Sequence, residues 1–428
     1  MKIKRPDILY SELLRNTTKL LSANVVAQVV GLLIYPILTR MYSQDDFGLA
    51  SLFISMGTIL AIVGTAEYQY AVVLPKEERL AVGAWQAGCL CLLLVTGLVT
   101  LSIPFAPQIA GLLKAPELAT WYWAIPLFLF FTGLWALLNY WYGRHKQFGR
   151  IGAFQVLQTL IGAGTKTGFG AAGFLHGGLV VSSVVSLFAA LASSVLSSLK
   201  QLRPLRRIDA ESVREAARTF KNFPCFSLPR ALVNNVSGNL DVWMIAPAFG
   251  LECVGVFGMA IMLSIRPINI ICSSLYQVLF QRTSERVQER TSIRRMFWHL
   301  LTKAALVGGL AFTALYFVLP ALCEWLLGEG WRETGELIQL LLPWVYFSLL
   351  VAPINFLTDV FGKQKIGLVF EVLLFVARVV GISLGIWQED FHLAVLGYSV
   401  GSALVLGAKL TWFVSLIRRY EQSLTEVG

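Results

Sequence analysis

Twelve long runs of apolar residues follow one another along the chain, separated by short polar segments. A helix that crosses the hydrocarbon core needs about 20 mostly apolar residues. Backbone groups in lipid must form their hydrogen bonds within the segment, so such runs are helical. The pattern therefore predicts an all-α polytopic membrane protein with twelve transmembrane helices, here called spans 1 to 12. The spans cover residues 17–39, 47–72, 82–103, 120–142, 151–172, 176–198, 224–249, 255–280, 297–319, 335–358, 365–386 and 393–416.

Span 7 carries a polar stripe although it is apolar enough to cross a membrane. Its polar residues recur at i, i+4, i+7 and i+11, a spacing that stays on one face of a helix. A charged side chain near mid-bilayer costs from about 3 to over 10 kcal/mol, so such residues face protein or water. We therefore expect this face to line a polar interior. The stripe consists of Arg230, Asn234, Ser237 and Asp241.

Span 1 repeats this register at an offset of 206 residues. A glycine then opens the next span in each half, Gly48 in DDFGLA and Gly255 in ECVGVF, at an offset of 207. Repeated segments of this kind are common in transporters, so the sequence predicts two related halves of six helices each. The span 1 residues in register are Asn24, Gln28, Gly31 and Tyr35.

The longest predicted inside connection separates the two halves. We expect an N-terminal six-helix bundle over 1–198, a cytoplasmic linker over 199–223 and a C-terminal six-helix bundle over 224–428. The linker contains RRIDAESVREAARTF, an amphipathic basic stretch. It is either a surface helix at the inner leaflet or a solvated linker helix.

Composition and charge agree with a membrane protein and not with a nucleic-acid-binding one. Of 428 residues, 56% are apolar and 14% are charged, whereas soluble domains carry about 25% charged residues. The net charge of +10 could suggest nucleic acid. However, the predicted inside segments hold 26 Lys and Arg residues and the outside segments hold three. By the positive-inside rule, both termini are cytoplasmic and the basic excess reflects topology.

Cations outnumber anions in the middle of the spans, which suggests a cavity for an anionic substrate. Arginine suits phosphate because its planar fork of donors matches phosphate oxygens. Each cation could instead brace neighbouring helices, and Glu371 and Arg378 at i, i+7 could pair with each other or with neighbours. The candidate substrate-binding cations are Arg230, Arg266, Lys166, Arg378, Lys409 and Arg40, and the candidate cavity-lining polar residues are Asn24, Gln28, Asn234, Asn269 and Asn355.

Other motifs do not indicate an enzyme, a metal site or a cofactor. GFGAAG at 168–173 and GYSVG at 397–401 resemble nucleotide-binding and hydrolase motifs, but both lie in predicted helices, whereas those sites need a strand before the turn. Their glycines are more typical of close helix approach, as are those of GISLG at 381–385. The six cysteines form no CxxC pair and the four histidines are scattered, so no metal or cofactor is expected.

Several segments together resemble the bacterial O-antigen and capsular polysaccharide flippases. At the start these are LSANVVAQVVGLLIYPILTRMYSQDDFGLASLF and AEYQYAVVLPKEE, and in the second half NFPCFSLPRALVNNVSGNLDVWMIAPAFGLECVGVFGMA and SSLYQVLFQRTSE. These flippases belong to the multidrug/oligosaccharidyl-lipid/polysaccharide (MOP) exporter superfamily. The resemblance extends from about residue 13 to the C-terminus.

This resemblance implies two six-helix bundles around a central cavity that opens alternately to each side. It implies that undecaprenyl-diphosphate-linked oligosaccharide moves from the inner to the outer leaflet of the bacterial inner membrane. The implied partners are this lipid-linked substrate and membrane lipid, with a polysaccharide polymerase and a chain-length regulator as candidates. Members of the family are thought to use an ion gradient, and Glu67, Asp241 and Glu371 are the carboxylates that could couple to it. Taken alone, each of these carboxylates is more typical of a structural role.

Other classes of protein fit the sequence less well. A drug or small-cation exporter of the same superfamily would favour an acidic cavity, whereas this one is basic. A membrane polysaccharide polymerase or glycosyltransferase usually needs a sizeable outside loop, and the outside loops here are short. A purely structural scaffold leaves the charged stripes unexplained.

Overall fold

The computed structural model describes residues 26–206 and 209–425, and within these ranges every regular element is a helix. Asn24 and the N-terminal part of span 1 lie outside the described residues. The helices of the first part of the chain are α1 Val26–Leu38, α2 Gln44–Thr65, α3 Tyr68–Ala71, α4 Glu78–Leu101, α5 Ile103–Leu112, α6 Glu117–Arg144, α7 Phe148–Ala171, α8 Gly178–Leu196, α9 Ala210–Thr219, α10 Leu228–Gly238 and α11 Leu240–Phe249. They are followed by α12 Leu251–Gln288, α13 Arg294–Leu327, α14 Arg332–Val360, α15 Gln364–Trp387 and α16 Phe391–Thr425.

Nine helices of the described ranges are long and apolar enough to cross a membrane. They correspond to spans 2, 3, 4, 6, 8, 9, 10, 11 and 12, so the all-α polytopic fold is confirmed. The count of twelve is not matched in full. Span 1 is described only in part, span 5 (α7) is long but too polar, and span 7 is divided into α10 and α11.

The contacts divide the chain into two compact units, Met1–Gly255 and Val256–Gly428. In the first unit, α2, α4 and α6 pack together around large side chains that are fully buried, including Phe53, Trp141 and Tyr142. The ring of Phe128 meets that of Phe53 edge to face, at 5.4 Å between centroids. Close packing of this kind fixes α2, the helix of span 2, against its neighbours.

In the second unit, α16 packs against both α14 and α15. α13 and α15 leave most of their apolar surface uncovered, with 17% and 11% of their most apolar stretches buried. Uncovered apolar surface on a spanning helix is what contact with lipid tails requires. The contacts of α16 with α14 and α15 form the packed interior of this unit.

Glycines of the GISLG and GYSVG segments bring α15 and α16 into backbone contact. A Cβ at Gly381 would collide with the backbone of Gly397, and one at Gly385 would collide with Ala394. Gly401 lies one turn further along, where a Cβ would come within 3.0 Å of the carbonyl oxygen of Ala377. The expectation of close helix approach is confirmed for these two segments, whereas a Cβ at Gly168 or Gly173 of GFGAAG meets nothing within 4 Å.

The linker helix α9 lies on the N-terminal part of α4. Ser212 and Ala216 are buried, and a Cβ at Gly83 would collide with the carbonyl oxygen of Ser212. Arg79 donates hydrogen bonds to Asp209 (3.0 Å) and Glu211 (2.9 Å) at the edge of this contact. The basic stretch thus forms a helix whose small side chains lie on α4.

Gly381→Ala should lower the thermal stability of the protein. The added Cβ has no room beside Gly397, and overpacking of this kind typically costs about 1–3 kcal/mol. Gly97→Ala is the matched control, because a Cβ there meets nothing within 4 Å on a spanning helix. Melting curves in detergent should show a lower midpoint for Gly381→Ala only. Equal midpoints for the two variants would contradict the close approach.

Gly83→Leu should displace α9 from α4 and expose its backbone amides, because a leucine side chain has no room beside the backbone of Ser212. Arg79→Ala should change the exposure of α9 little, because exposed ion pairs contribute little. The Arg79 guanidinium holds the pKa of Asp209 below its ordinary value of 3.8. The contribution of this pair is therefore present above that pH and is lost as the pH falls through the lowered pKa. Acidification should therefore increase the amide exchange of α9 only slightly, as Arg79→Ala does, whereas Gly83→Leu should increase it strongly. Amide hydrogen exchange of residues 210–219 measures each case.

Candidate functional site

Span 2 ends in a tight backbone reversal that carries a buried carboxylate. α2 stops at Thr65, and Ala66 and Glu67 follow with φ values of 47° and 63°, in the left-handed region. Residues other than glycine rarely hold this conformation, and strained residues cluster at functional sites. Glu67 is only 4% exposed and accepts a hydrogen bond of 3.2 Å from Nε2 of Gln69. The reversal therefore holds one carboxylate inside the protein.

Arg230 lies near this carboxylate. It is exposed in the first turn of α10 and interacts electrostatically with Glu67. Tyr140 also interacts with Glu67 and hydrogen-bonds with Tyr70, at 4.9 Å between the two ring centroids. Phe223 stacks on Tyr70 at 6.4 Å. The structure thus brings together a candidate cation and a candidate ion-coupling carboxylate beside a cluster of aromatic rings.

Span 7 is not one continuous helix, so this part of the prediction is wrong. A π-helical turn covers Phe223–Ser227, and α10 and α11 are separated at Asn239, which has φ −117° and ψ 17°. Side-chain amides compete with the helix here: Nδ2 of Asn239 donates to the carbonyl of Asn235 at 2.9 Å, and Nδ2 of Asn235 to that of Ala231. Such bonds to the preceding turn weaken a helix.

The break divides the polar stripe of span 7. Arg230 and Asn234 are exposed on α10, a helix with no buried residue, whereas Asp241 is half-buried in the first turn of α11. An amide or a guanidinium that is exposed along a span has to meet water or a polar ligand, because lipid cannot hydrogen-bond to it. The surface of α10 is therefore suited to a polar cavity.

The indole of Trp243 connects α11 to α2. Its Nε1 donates a hydrogen bond of 2.9 Å to Oγ of Ser55, a residue that is only 2% exposed. Ser55 belongs to a polar register in span 2 that also includes Ser51 and Thr58, but no sequence pattern singles out Trp243. A buried serine hydroxyl needs a hydrogen-bond donor or acceptor from the helix that packs against it. This requirement is the sequence signal that could have indicated Trp243.

Arg144 is a second residue that the sequence analysis used only for topology. It donates to the carbonyl oxygens of Val72 (3.1 Å) and Pro75 (2.6 Å), which belong to the segment YAVVLPKEE. The chain ends its helix there and cannot satisfy these carbonyls itself. Arg144 thereby fixes the segment that follows the Glu67 reversal.

The remaining candidates of the first unit are less closely grouped. Lys166 is half-buried on α7, and its backbone oxygen accepts a hydrogen bond of 2.7 Å from the hydroxyl of Tyr42. Gln28 is half-buried on α1, and Arg40 is exposed between α1 and α2. They lie on α7, on α1 and between α1 and α2, whereas Glu67 follows α2 and Arg230 lies on α10.

In the second unit, Lys409 and Glu371 form an ion pair of 3.0 Å between α16 and α15. The Lys409 side chain is 4% exposed and that of Glu371 is 58% exposed. A buried cation needs a partner of this kind, because an unpaired charge is strongly destabilising in the interior. Of the two pairings considered for Glu371, the structure shows the one with a neighbouring helix.

Arg378 lies between two aromatic rings of the same unit. Its guanidinium is 4.9 Å from the ring centroid of Tyr398 and 5.6 Å from that of Trp344, and its Nε donates to Oγ of Ser402 at 3.2 Å. Cation–π contacts and a charge-assisted hydrogen bond stabilise a cation in place. This geometry favours a bracing role for Arg378 between α14, α15 and α16.

Three further candidates of the second unit lie on α12 and α14. Arg266 is half-buried, and Asn269 and Asn355 are exposed along spans 8 and 10. As for α10, exposed amides at these depths are suited to a polar cavity and not to lipid. The two units therefore each carry exposed polar residues on helices that the sequence assigned to the cavity.

Comparison with known families and relatives gives two sequence findings. The profile of a family described as polysaccharide biosynthesis protein matches residues 37–336. The teichuronic acid biosynthesis protein TuaB of Bacillus subtilis (strain 168) is 26% identical over 124 residues, which are 29% of this chain. The chain aligns with 26% of the length of that relative.

Solved structures share the fold over almost the whole chain. The inward-facing conformation of a multidrug resistance MATE family transporter of the MOP superfamily aligns with a TM-score of 0.61. That alignment covers 94% of this chain and 95% of the other, at 12% identity. A MATE protein in complex with MaL6 aligns with a TM-score of 0.53 at 14% identity, covering 96% and 97% of the two chains. At such low identity the likeness concerns the fold, which is that of MOP superfamily proteins.

Trp243→Phe and Ser55→Ala should each lower the melting temperature, because each leaves a polar partner without its hydrogen bond. A hydrogen bond of this kind contributes about 1 kcal/mol. The double variant should be no less stable than the worse single variant, since the partners are then removed together. Melting curves of the four proteins complete the cycle. Additive losses would show that the two side chains do not interact.

Proposed function

This chain belongs to the polysaccharide biosynthesis protein family, and we propose that it is the flippase of a lipid-linked oligosaccharide. The proposed substrate is an undecaprenyl-diphosphate-linked repeat unit of O-antigen, capsule or exopolysaccharide. It would move from the inner to the outer leaflet of the bacterial inner membrane. Membership of the family supports a role in polysaccharide biosynthesis. The MOP fold supports transport, because it is an architecture found in transporters.

The exposed Arg230 on the broken span 7 carries the proposal. A sugar diphosphate cannot enter lipid without losing its hydration, which is costly for a charged group. An arginine in a polar cavity offsets that loss with charge-assisted hydrogen bonds to phosphate oxygens. Arg266 is the corresponding candidate in the second unit, with Asn234, Asn269 and Asn355 as sugar-facing amides. The polyprenyl tail stays in lipid.

Arg378 and Lys409 are less suited to the substrate than Arg230. Lys409 pairs with Glu371, and Arg378 lies against two rings and donates to a hydroxyl, so both side chains are held by neighbouring helices. We assign them to the packing of α14, α15 and α16. Lys166 and Arg40 remain candidates for the substrate phosphates.

Glu67 is the proposed ion-coupling carboxylate. It is buried, it is held in a strained reversal, and it interacts with Arg230. Protonation of Glu67 would remove its attraction for Arg230, and that change could link an ion gradient to the release of a phosphate. Glu371 is already paired with Lys409. Asp241, in the first turn of α11, remains the other candidate.

The cellular setting follows from the charge distribution and from the substrate. We propose that the protein is multi-pass in the inner membrane with both termini in the cytoplasm. Its candidate protein partners are a polysaccharide polymerase and a chain-length regulator, which would act on the flipped product. A polymerase activity of the chain itself, or export of drugs or small cations, are the competing functions.

Reconstituted vesicles test the proposal with a polyprenyl-diphosphate oligosaccharide that carries a fluorescent label on its sugar. Membrane-impermeant quencher reports transfer between leaflets. Arg230→Ala and Arg266→Ala should each slow transfer about tenfold or more, since a hydrogen bond to a charged group contributes about 1.5–3 kcal/mol. Arg332→Ala is the matched control, because Arg332 is an exposed arginine that pairs with Glu324 and Glu336.

Each outcome of this assay has a distinct meaning. Full activity of both arginine variants would contradict the cationic cavity, and lengthening of the glycan would show a polymerase. Absence of transfer by the folded wild-type protein, together with efflux of a labelled small cation, would favour the exporter. With an imposed pH gradient, Glu67→Gln should transfer at a rate that no longer depends on the gradient. A retained dependence would exclude Glu67 as the coupling group.

A further inference from the structure

A cavity of about 630 Å³ lies in the first unit, between the first turns of α4, the segment 200–204 and the start of α9. Its volume is within the range of about 300–1,000 Å³ that is usual for small-ligand pockets. The cavity is distinct from the Glu67 and Arg230 site. Its charged lining residues are Glu78, Arg79, Lys200, Arg203 and Asp209.

Buried leucines hold the segment that forms one wall of this cavity. Leu202 and Leu205 are buried, and the carbonyl oxygen of Leu205 accepts a hydrogen bond of 3.2 Å from Nε2 of Gln86 on α4. The apolar side chains of the segment are thus packed in the protein, whereas its cations Lys200 and Arg203 are exposed. The two cations therefore stand on a wall that is already fixed to α4.

The charges of the cavity divide into a paired set and an unpaired set. Arg79 and Asp209 form an ion pair of 3.0 Å, so these two charges compensate each other. Glu78, Lys200 and Arg203 are exposed, and among the residues that the structure describes none of the three forms an ion pair. A ligand that carries one anionic and one cationic group matches these three charges.

The cavity lies where two predicted spans end. Span 3 is predicted to begin at residue 82 and span 6 to end at residue 198. Val82 lines the cavity, and Glu78 precedes it by about one helical turn, or about 5 Å along α4. The polar headgroup layer extends about 5–7 Å beyond the hydrocarbon on each side of a bilayer. The charged side chains of the cavity therefore lie at the level of lipid headgroups.

The linker helix α9 has no free apolar face with which to enter the lipid. Its small residues Ser212 and Ala216 are buried on α4, and its exposed residues are mostly charged, including Glu211, Arg214 and Arg218. A helix that lies in the membrane interface keeps an apolar face for the lipid. The arrangement favours a solvated linker helix, so contact of the linker with the membrane depends on headgroup chemistry.

We propose that the cavity binds the headgroup of a phospholipid that carries a phosphate and a primary ammonium, such as phosphatidylethanolamine. The phosphate lies against Lys200 and Arg203, and the ammonium lies against Glu78. Charge-assisted hydrogen bonds of these two kinds are among the strong ones. The positive-inside distribution assigns the headgroup to the cytoplasmic leaflet. This inference goes beyond the proposed function, and it does not depend on what the protein transports.

Native mass spectrometry of the full-length protein, with one phospholipid added at a time, measures the binding. The wild-type protein should bind phosphatidylethanolamine about tenfold more tightly than phosphatidylcholine, because a trimethylated nitrogen cannot donate a hydrogen bond to Glu78. Glu78→Gln should abolish this preference. Glu329→Gln is the matched control, because Glu329 is an exposed carboxylate of the second unit and does not line the cavity.

The phosphate half of the site is tested at the two cations. Lys200→Ala combined with Arg203→Ala should weaken the binding of phosphatidylethanolamine about tenfold or more, since each cation donates to the phosphate. Lys363→Ala combined with Lys365→Ala is the matched control. All four residues are exposed and lie in segments that the sequence predicts on the same side of the membrane.

Each of the other outcomes would overturn the proposal. Equal affinities for phosphatidylethanolamine and phosphatidylcholine, or a preference that Glu78→Gln retains, would exclude the ammonium contact. Phosphatidylglycerol bound as tightly as phosphatidylethanolamine would show a site for anions only. Soluble phosphorylethanolamine bound as tightly as the lipid would show that the ligand is not a membrane component. Unchanged binding by the double alanine variant would exclude the phosphate contact.

Amide hydrogen exchange locates the site in a bilayer. In nanodiscs, replacing part of the phosphatidylcholine by phosphatidylethanolamine should slow the exchange of residues 200–205 in the wild-type protein, because the bound headgroup joins this segment to α4. The same replacement should leave these residues unchanged in Glu78→Gln. Equal slowing in both proteins would show a general effect of the bilayer and would overturn the site. The proposed function stands in either case, since no transfer is measured.

Discussion

The requirement that lipid-buried backbone satisfies its own hydrogen bonds decides the architecture of this protein. Water is absent from the hydrocarbon core, so each crossing is a helix and the described ranges contain no other regular element. Polar sites within the membrane then have to be formed by side chains on helices and by the segments where helices end. The reversal at Ala66 and Glu67 and the break at Asn239 are two such places.

The polar spans show how this constraint shapes function. Span 7 is divided into two helices and span 5 (α7) is not among the nine long apolar helices, and the sequence places the candidates Arg230, Asn234 and Lys166 on these two spans. The same side chains that lower hydropathy also weaken the helix, as the amides of Asn235 and Asn239 do in span 7. In span 7, the break in the helix and the polar surface therefore have one cause.

Much of the fold could be predicted from the sequence, because hydropathy records burial in lipid directly. Nine spans and the close helix approach at Gly381 and Gly397 follow from local residue patterns. The site was less predictable. The pairing of Lys409 with Glu371, and of Trp243 with Ser55, depends on which helices are neighbours, and a periodic pattern gives the face of a helix but not what lies opposite. The break at Asn239 depends on side-chain bonds that hydropathy does not count.

Gly48 and Gly255, counterparts in the sequence repeat, each meet the segment of the other: a Cβ at Gly48 would collide with the carbonyl oxygen of Leu251, and one at Gly255 with that of Gln44. This reciprocal contact limits how the two copies of the repeat can diverge. Copies of a duplicated segment usually drift apart independently, and the overall identity between the two repeats is weak. At a two-fold contact, however, each copy is part of the environment of the other. A side chain gained in one copy would collide with the backbone of its sister. The two glycines therefore share a single constraint, because neither can gain a side chain unless the opposing segment moves.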